Sequence, residues 1–159
     1  MKSIFPSSIL QPRRHTSALR IALLILAGAS LGSGAWAAEL VVRVSGITEP
    51  LGKIGCALFA NAEGFPMDSN GARQLWLAAE TKGTTCRFEH VPEGAYAVSI
   101  AHDMNGNRKV DSNFLGMPSE QWGVSRNTRP TLRAPRFEEA VFKIADDAGE
   151  VMIDIRVAK

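Results

Sequence analysis

Two cysteines, three histidines and a single tyrosine are all that this 159-residue chain holds of those residue types. Each scarcity closes off a class of function. A zinc site takes three or four ligands, mostly Cys and His. Past residue 37 the chain offers only Cys56, Cys86, His90 and His102, and a pair of cysteines expected to bond to each other leaves too few. There is no apolar run of the ~20 residues that cross a bilayer; Ile21 to Leu31 has eleven. Internal repeats, heptads and low-complexity tracts are missing as well, which excludes solenoids and coiled coils.

The eleven-residue apolar run has a different meaning. Lys2, Arg13, Arg14 and Arg20 precede it, and Ala35-Trp36-Ala37 follows it. A positive region, an apolar core and an A-x-A site form a secretory signal peptide, here residues 1–37 with cleavage after Ala37. The flanks of Arg13-Arg14 do not match a twin-arginine signal. The expected product is a single periplasmic or secreted domain, residues 38–159, with no transmembrane span after cleavage. Removing Lys2, Arg13, Arg14 and Arg20 takes four of 18 basic residues and none of the 16 acidic ones, so the formal charge falls from +2 to −2. Without a basic excess there is no reason to expect a nucleic-acid partner. Export also places Cys56 and Cys86 in an oxidising compartment, where thiols pair. The alternative is two buried free thiols acting as small hydrophobes.

The dominant period past residue 37 is two. Leu40, Val42 and Val44 alternate with Val41, Arg43 and Ser45, and Ile54, Cys56 and Leu58 form a second set. Cys86, Phe88 and His90 suggest a third, and Tyr96, Val98 and Ile100 a fourth, with small residues Ala95, Ala97, Ser99 and Ala101 on the opposite face. Small residues there would let another layer approach closely. Residues 140–145 and 151–157, joined at Asp146-Asp147-Ala148-Gly149, read as a C-terminal hairpin. The one helix candidate is Ala72–Glu80, which also reads as a bulged strand. These signals predict an all-β fold: an Ig-like or prealbumin-like β-sandwich of about six to eight strands, with at most a short helix.

One long segment, Asp103–Arg136, is polar and irregular, and such segments are usually functional or packed by their own side chains. Phe114, Leu115, Met117 and Trp122 are the candidates for that packing. The segment begins HDMNGNRKVD, residues 102–111. Asp103, Asn105, Asn107 and Asp111 stand at alternate positions, with Lys109 placed to add a backbone carbonyl. This is oxygen spacing that calcium can use. Arg108, however, occupies the sixth position where an EF-hand needs Gly, and Phe114 stands where it needs a bidentate Glu. Asp and Asn in such a run also organise turns through their own backbone. A weak calcium site, completed by a distant acid such as Glu120, and a metal-free hydrogen-bonded loop both remain open.

Other residues invite chemistry. His102, Asp103 and Ser125 are the parts of a hydrolase-type site, although neighbours on a strand point to opposite faces. Trp122 with Arg126, Arg129 and Arg133 would suit a small anionic ligand, because Arg pairs well with carboxylate and phosphate.

The run FEHVPEGAYAVSIAHDMNGNRKVDSNFLGMPSEQWGVSRN, followed by APRFEEAVFKI, closely resembles the DUF2141 family of exported bacterial proteins. That family carries F-x-x-[LV]-P-x-G-x-Y-A-[VI], then H-D-x-N-x-N-x-x-x-D, then L-G-x-P-x-E-x-[WY]-G-[FV]-S, then F-x-x-A. The chain departs from it where a second Gly usually follows Asn107. The resemblance implies a periplasmic or secreted β-sandwich and no particular activity. The expected function is a non-enzymatic, envelope-associated binding or interaction module. Its working surface would be the 102–136 loop, organised by Asp and Asn residues with or without calcium. Its partner would be an envelope protein or a small anionic ligand. The alternatives are a hydrolase using His102, Asp103 and Ser125, and a purely structural envelope protein whose loop is filled by Phe114, Leu115 and Trp122.

Overall fold

The computed structural model describes residues 37–159; the expected signal peptide lies, apart from Ala37, outside the described residues. Eight strands form two sheets: β1 (Ala38–Ser45), β2 (Lys53–Phe59), β3 (Arg73–Ala78), β4 (Thr84–Val91), β5 (Gly94–Asp103), β6 (Trp122–Val124), β7 (Phe142–Ile144) and β8 (Glu150–Arg156). One sheet has the order β4-β1-β8, with β8 parallel to β1. The other runs β3-β2-β5-β6, and β7 pairs with the first residues of β5. A four-residue helix, α1 (Phe137–Ala140), precedes β7. The β-sandwich expectation holds, and every described strand and both cysteines lie within residues 38–159.

Alternation decides which face each strand buries. Leu40, Val42 and Val44 of β1 meet Ile54, Cys56 and Leu58 of β2 and Val98 and Ile100 of β5 in one core, with Phe88, Ile155 and Val157. Tyr96 packs against this core, and its hydroxyl donates to the Pro92 carbonyl. The Cys56–Cys86 bond joins β2 of one sheet to β4 of the other, so it crosses the sandwich instead of linking neighbouring strands.

One open reading is decided and three local expectations are corrected. Residues 72–80 hold a strand: β3 pairs with β2 from Arg73 opposite Leu58 to Ala78 opposite Lys53. Its leucine and alanine favour helix, but Leu75 finds the core only from a strand. Residues 140–145 and 151–157 do not form a hairpin, because β7 joins β5 in one sheet while β8 joins β1 in the other. The hydrophobic pattern was the same; the core needed the chain to cross between layers. His90 does not continue the inward set. It is exposed at φ 53°, where β4 bulges against β1 between the Ala38–Val91 and Leu40–Phe88 pairs. Finally, the long loop is not filled by its own apolar side chains: Phe114, Leu115 and Met117 are all more than half exposed.

Candidate functional site

β5 ends at Asp103, and the loop beyond it is built on that carboxylate. Asp103 is buried. Its Oδ1 accepts from the N–H groups of Gly106 (2.7 Å) and Asn107 (3.2 Å), and its Oδ2 accepts from Arg108 (2.8 Å). Asn105 and Asn107 each accept a backbone N–H on Oδ1, from Asn107 and Lys109 respectively. Their amide nitrogens both donate to Asp111, at 2.6 and 2.7 Å. Buried Glu120 closes the loop by accepting from the N–H groups of Met104 and Asp111. Asp103, Asn105, Asn107, Asp111 and Glu120 thus belong to one local hydrogen-bond network. They satisfy one another and the backbone. Turning either asparagine toward a cation would set its N–H against a backbone N–H and its oxygen against Asp111. Among the described residues no three His, Cys, Asp or Glu side chains cluster as a metal site would need.

The hydrolase parts are held apart by their own partners. Both ring nitrogens of buried His102 face carbonyl oxygens: Nε2 stands 2.8 Å from Leu51 O and Nδ1 3.2 Å from Gln121 Oε1. Gln121 accepts from the N–H and hydroxyl of Thr48 and donates to Gly46 O. His102 and Gln121 thus fasten the end of β5 to the turn between β1 and β2. Ser125 is also buried. Its Oγ accepts from Val98 N–H at 3.0 Å and donates to Ala140 O at 2.6 Å, filling a gap in the hydrogen bonding beside β5. Asp103, His102 and Ser125 share no partner.

What the fold does create is a groove on the outer face of the five-stranded sheet, with a volume of about 720 Å³. One row of residues crosses four strands there. Trp76 lies opposite Gly55, Gly55 opposite Ala101, and Ala101 opposite Trp122. Three strand spacings put the two tryptophan positions about 14 Å apart. Between them the floor is Gly55, Ala57, Ser99 and Ala101. Gly55 has a specific role: a Cβ there would stand 2.6 Å from Cη2 and Cζ3 of Trp76, so only glycine lets the indole lie down on the sheet. At one end Phe65 stacks edge-on against both Phe59 and Phe137, and these rings with Ala97, Val124 and Ala140 seal that part of the face.

The groove carries one sign of charge. Arg108, Lys109, Arg129, Arg133 and Lys159 line it, and no acid does. Arg108 sits over the Trp76 ring at 5.9 Å and Arg129 over Trp122 at 4.2 Å, both favourable cation–π arrangements. Arg129 donates to the main-chain oxygens of Trp122, Ala158 and Lys159. Burial lowers its pKa, but an arginine keeps its charge at neutral pH. Arg133 does have a partner: it forms a double hydrogen bond with Glu139. That guanidinium, followed by the Arg136 N–H, lowers the Glu139 carboxyl to about 2.

Of the residues expected to form a ligand surface, the structure thus brings Trp122, Arg129 and Arg133 to the groove. Arg126 is not there; it stands exposed at φ 63°. Trp122, one of the candidates for packing the long segment, lies in β6. Gly55 and Arg108 were not legible as site residues, and Trp76 only as one of three aromatics that would form a surface if exposed together. Pairing partners across a sheet leave no local signal, and Arg108 reads in sequence only as an obstacle to calcium.

Residues 42–152 match a protein family described as uncharacterized protein conserved in bacteria, DUF2141. No curated protein and no solved structure matches the chain.

Proposed function

The chain belongs to the DUF2141 family, and on that premise we propose that it is an exported, non-enzymatic binding module. Its ligand is a small anionic molecule with an apolar body, held in the groove above Gly55 and Ala101. The carrying observation is the row Trp76–Gly55–Ala101–Trp122, with an arginine over each tryptophan and no acidic residue in the lining. Pockets of several hundred Å³ with apolar walls and a few fixed polar groups are the usual form of small-molecule sites. Uncompensated guanidinium groups beside an apolar floor favour a carboxylate, sulfonate or phosphate head. The Asp103 loop contributes by rigidity, since it holds Arg108 over Trp76. Export is supported by the signal-like residues 1–37 and by the Cys56–Cys86 bond, which suits an oxidising compartment. The absence of an enzymatic role is supported by the separate engagement of His102, Asp103 and Ser125.

The test uses anilinonaphthalene sulfonate, an apolar anion whose fluorescence rises on binding, with residues 38–159. Saturable one-site binding is expected. Arg108→Gln should weaken it about fivefold, the value of roughly 1 kcal/mol for a partly exposed ion pair. Gly55→Val, which lifts the Trp76 ring, should weaken it further. Dye binding that neither variant changes would remove the groove from consideration.

A further inference from the structure

Two loops that border the groove hold apolar side chains out into solvent. Phe114 is 95% exposed and Leu132 97%, and Leu115 and Met117 are more than half exposed. Residues of both loops line the same groove, so their tips belong to one face of the protein. Isolated exposed apolar residues need no explanation, but four on adjoining tips form a patch.

The first tip is a built turn. Ser112 and Pro118 form a β-bridge. Asn113 N–H donates to Met117 O at 2.8 Å, and Gly116 N–H to Asn113 O at 2.9 Å. Asn113 Oδ1 accepts from the N–H groups of Leu115 and Met117. Four backbone donors around Phe114 are therefore satisfied within the turn itself. A tip of this kind can approach the interfacial layer with most of its N–H groups already paired, which lowers the main barrier to placing irregular backbone near lipids. Leu132 sits between Pro130 and Pro135, which have no N–H. The charge around the tips is complementary to an anionic surface. Residues 104–118 and 128–136 contain Arg108, Lys109, Arg129, Arg133 and Arg136 against the single acid Asp111, whose carboxylate is already held by Asn105 and Asn107; Glu139 just beyond pairs with Arg133, and the other four basic residues keep the excess.

We propose that this face docks on an anionic lipid surface, with Phe114, Leu115 and Leu132 entering the interfacial layer and the surrounding arginines and Lys109 lying against the headgroups. Basic residues near such a surface and apolar side chains within it act together in interfacial binding. The face shares Leu115, Leu132 and its basic residues with the groove, whereas Phe114 does not line the groove and so reports on docking alone.

The test is co-sedimentation of oxidised residues 38–159, which lack the apolar 21–31 segment, with vesicles of phosphatidylglycerol and phosphatidylcholine or of phosphatidylcholine alone. Binding is expected to the anionic vesicles only and should fall as salt rises. Phe114→Ser and Leu132→Ser should each reduce it about fivefold or more, given the transfer preference of such side chains. Both positions are almost wholly exposed, so unchanged melting temperatures should show that the variants fold. Met152→Ser, on the other sheet, should leave binding intact. Dye binding by Phe114→Ser should equal that of the parent, which separates this inference from the groove reading. No binding to anionic vesicles, equal binding to neutral ones, or indifference to both serine variants would overturn the proposal.

Discussion

Replacing Asp103 by alanine removes one buried carboxylate that accepts three backbone N–H groups, at 2.7, 2.8 and 3.2 Å. Hydrogen bonds to a charged group contribute roughly 1.5–3 kcal/mol each when the donor is left stranded. Residues 106–108 are exposed, so water can take over their N–H groups, and about 1 kcal/mol per bond is the better figure. The expected loss is therefore about 3 kcal/mol, against the ±0.5 kcal/mol usual for surface substitutions. For a domain of this size that corresponds to a fall in melting temperature of roughly 10 °C. Asp103→Asn should lie between parent and alanine variant. It keeps an oxygen for Gly106 and Asn107 but turns an NH2 group toward the Arg108 N–H. The assay is urea unfolding of oxidised residues 38–159, with amide hydrogen exchange at residues 106–108 to detect local opening. Added calcium, with magnesium as control, should leave the parent's melting temperature unchanged. An alanine variant within 0.5 kcal/mol of the parent (about the surface average), with those three amides still protected, would refute the scaffold reasoning. A calcium-dependent rise that Asp103→Ala and Asp111→Ala both lose would refute the metal-free loop.

Three further outcomes follow from the same geometry. Ser125→Ala strands the Val98 N–H and the Ala140 carbonyl in a buried site, so urea unfolding should show a loss of about 2–4 kcal/mol; a loss under 1 kcal/mol (the cost of a single mild defect) would deny Ser125 its bridging role. Reducing the Cys56–Cys86 bond, which spans 30 residues, should cost roughly 3–4 kcal/mol in the loop-entropy estimate, read as a drop in the urea midpoint with dithiothreitol. The Glu139 carboxyl should titrate near 2, depressed first by Arg133 and then by the Arg136 N–H. Because the folded value lies below the ordinary 4.5, this pair's stabilisation is present above the ordinary value and is lost as pH falls from there toward 2. NMR titration checks it, and Arg133→Ala should move the midpoint back toward 4.5, the unperturbed value.

How much of this was legible in sequence differs from residue to residue. The inward sets Leu40–Val42–Val44 and Ile54–Cys56–Leu58 were visible because a strand's side chains alternate with period two wherever one face is buried. The Asp103 loop was equally visible, since Asx side chains bind backbone within a few residues of themselves. Both are local interactions, and a linear sequence records them directly. The failures are of the opposite kind. Residues 72–80 have helix-forming composition and read as helix or bulged strand alike; pairing with the edge of β2 decided for β3. Residues 140–157 carry a hairpin pattern, yet they divide between the sheets, because a two-residue period says which side chains are buried and not which neighbour buries them.

The amino-acid sequence alone thus determined the β class and the main core-facing sets, and it narrowed Cys56 and Cys86 and the loop after β5 to two alternatives each. Tertiary structure decided the strand order, the bridge across the sandwich, and the groove. Trp76, Gly55, Ala101 and Trp122 are as much as 67 positions apart in the chain and meet in one row only when four strands pair in register. A shift of one residue in any of them would turn that side chain to the opposite face, so the groove exists only in the assembled sheet.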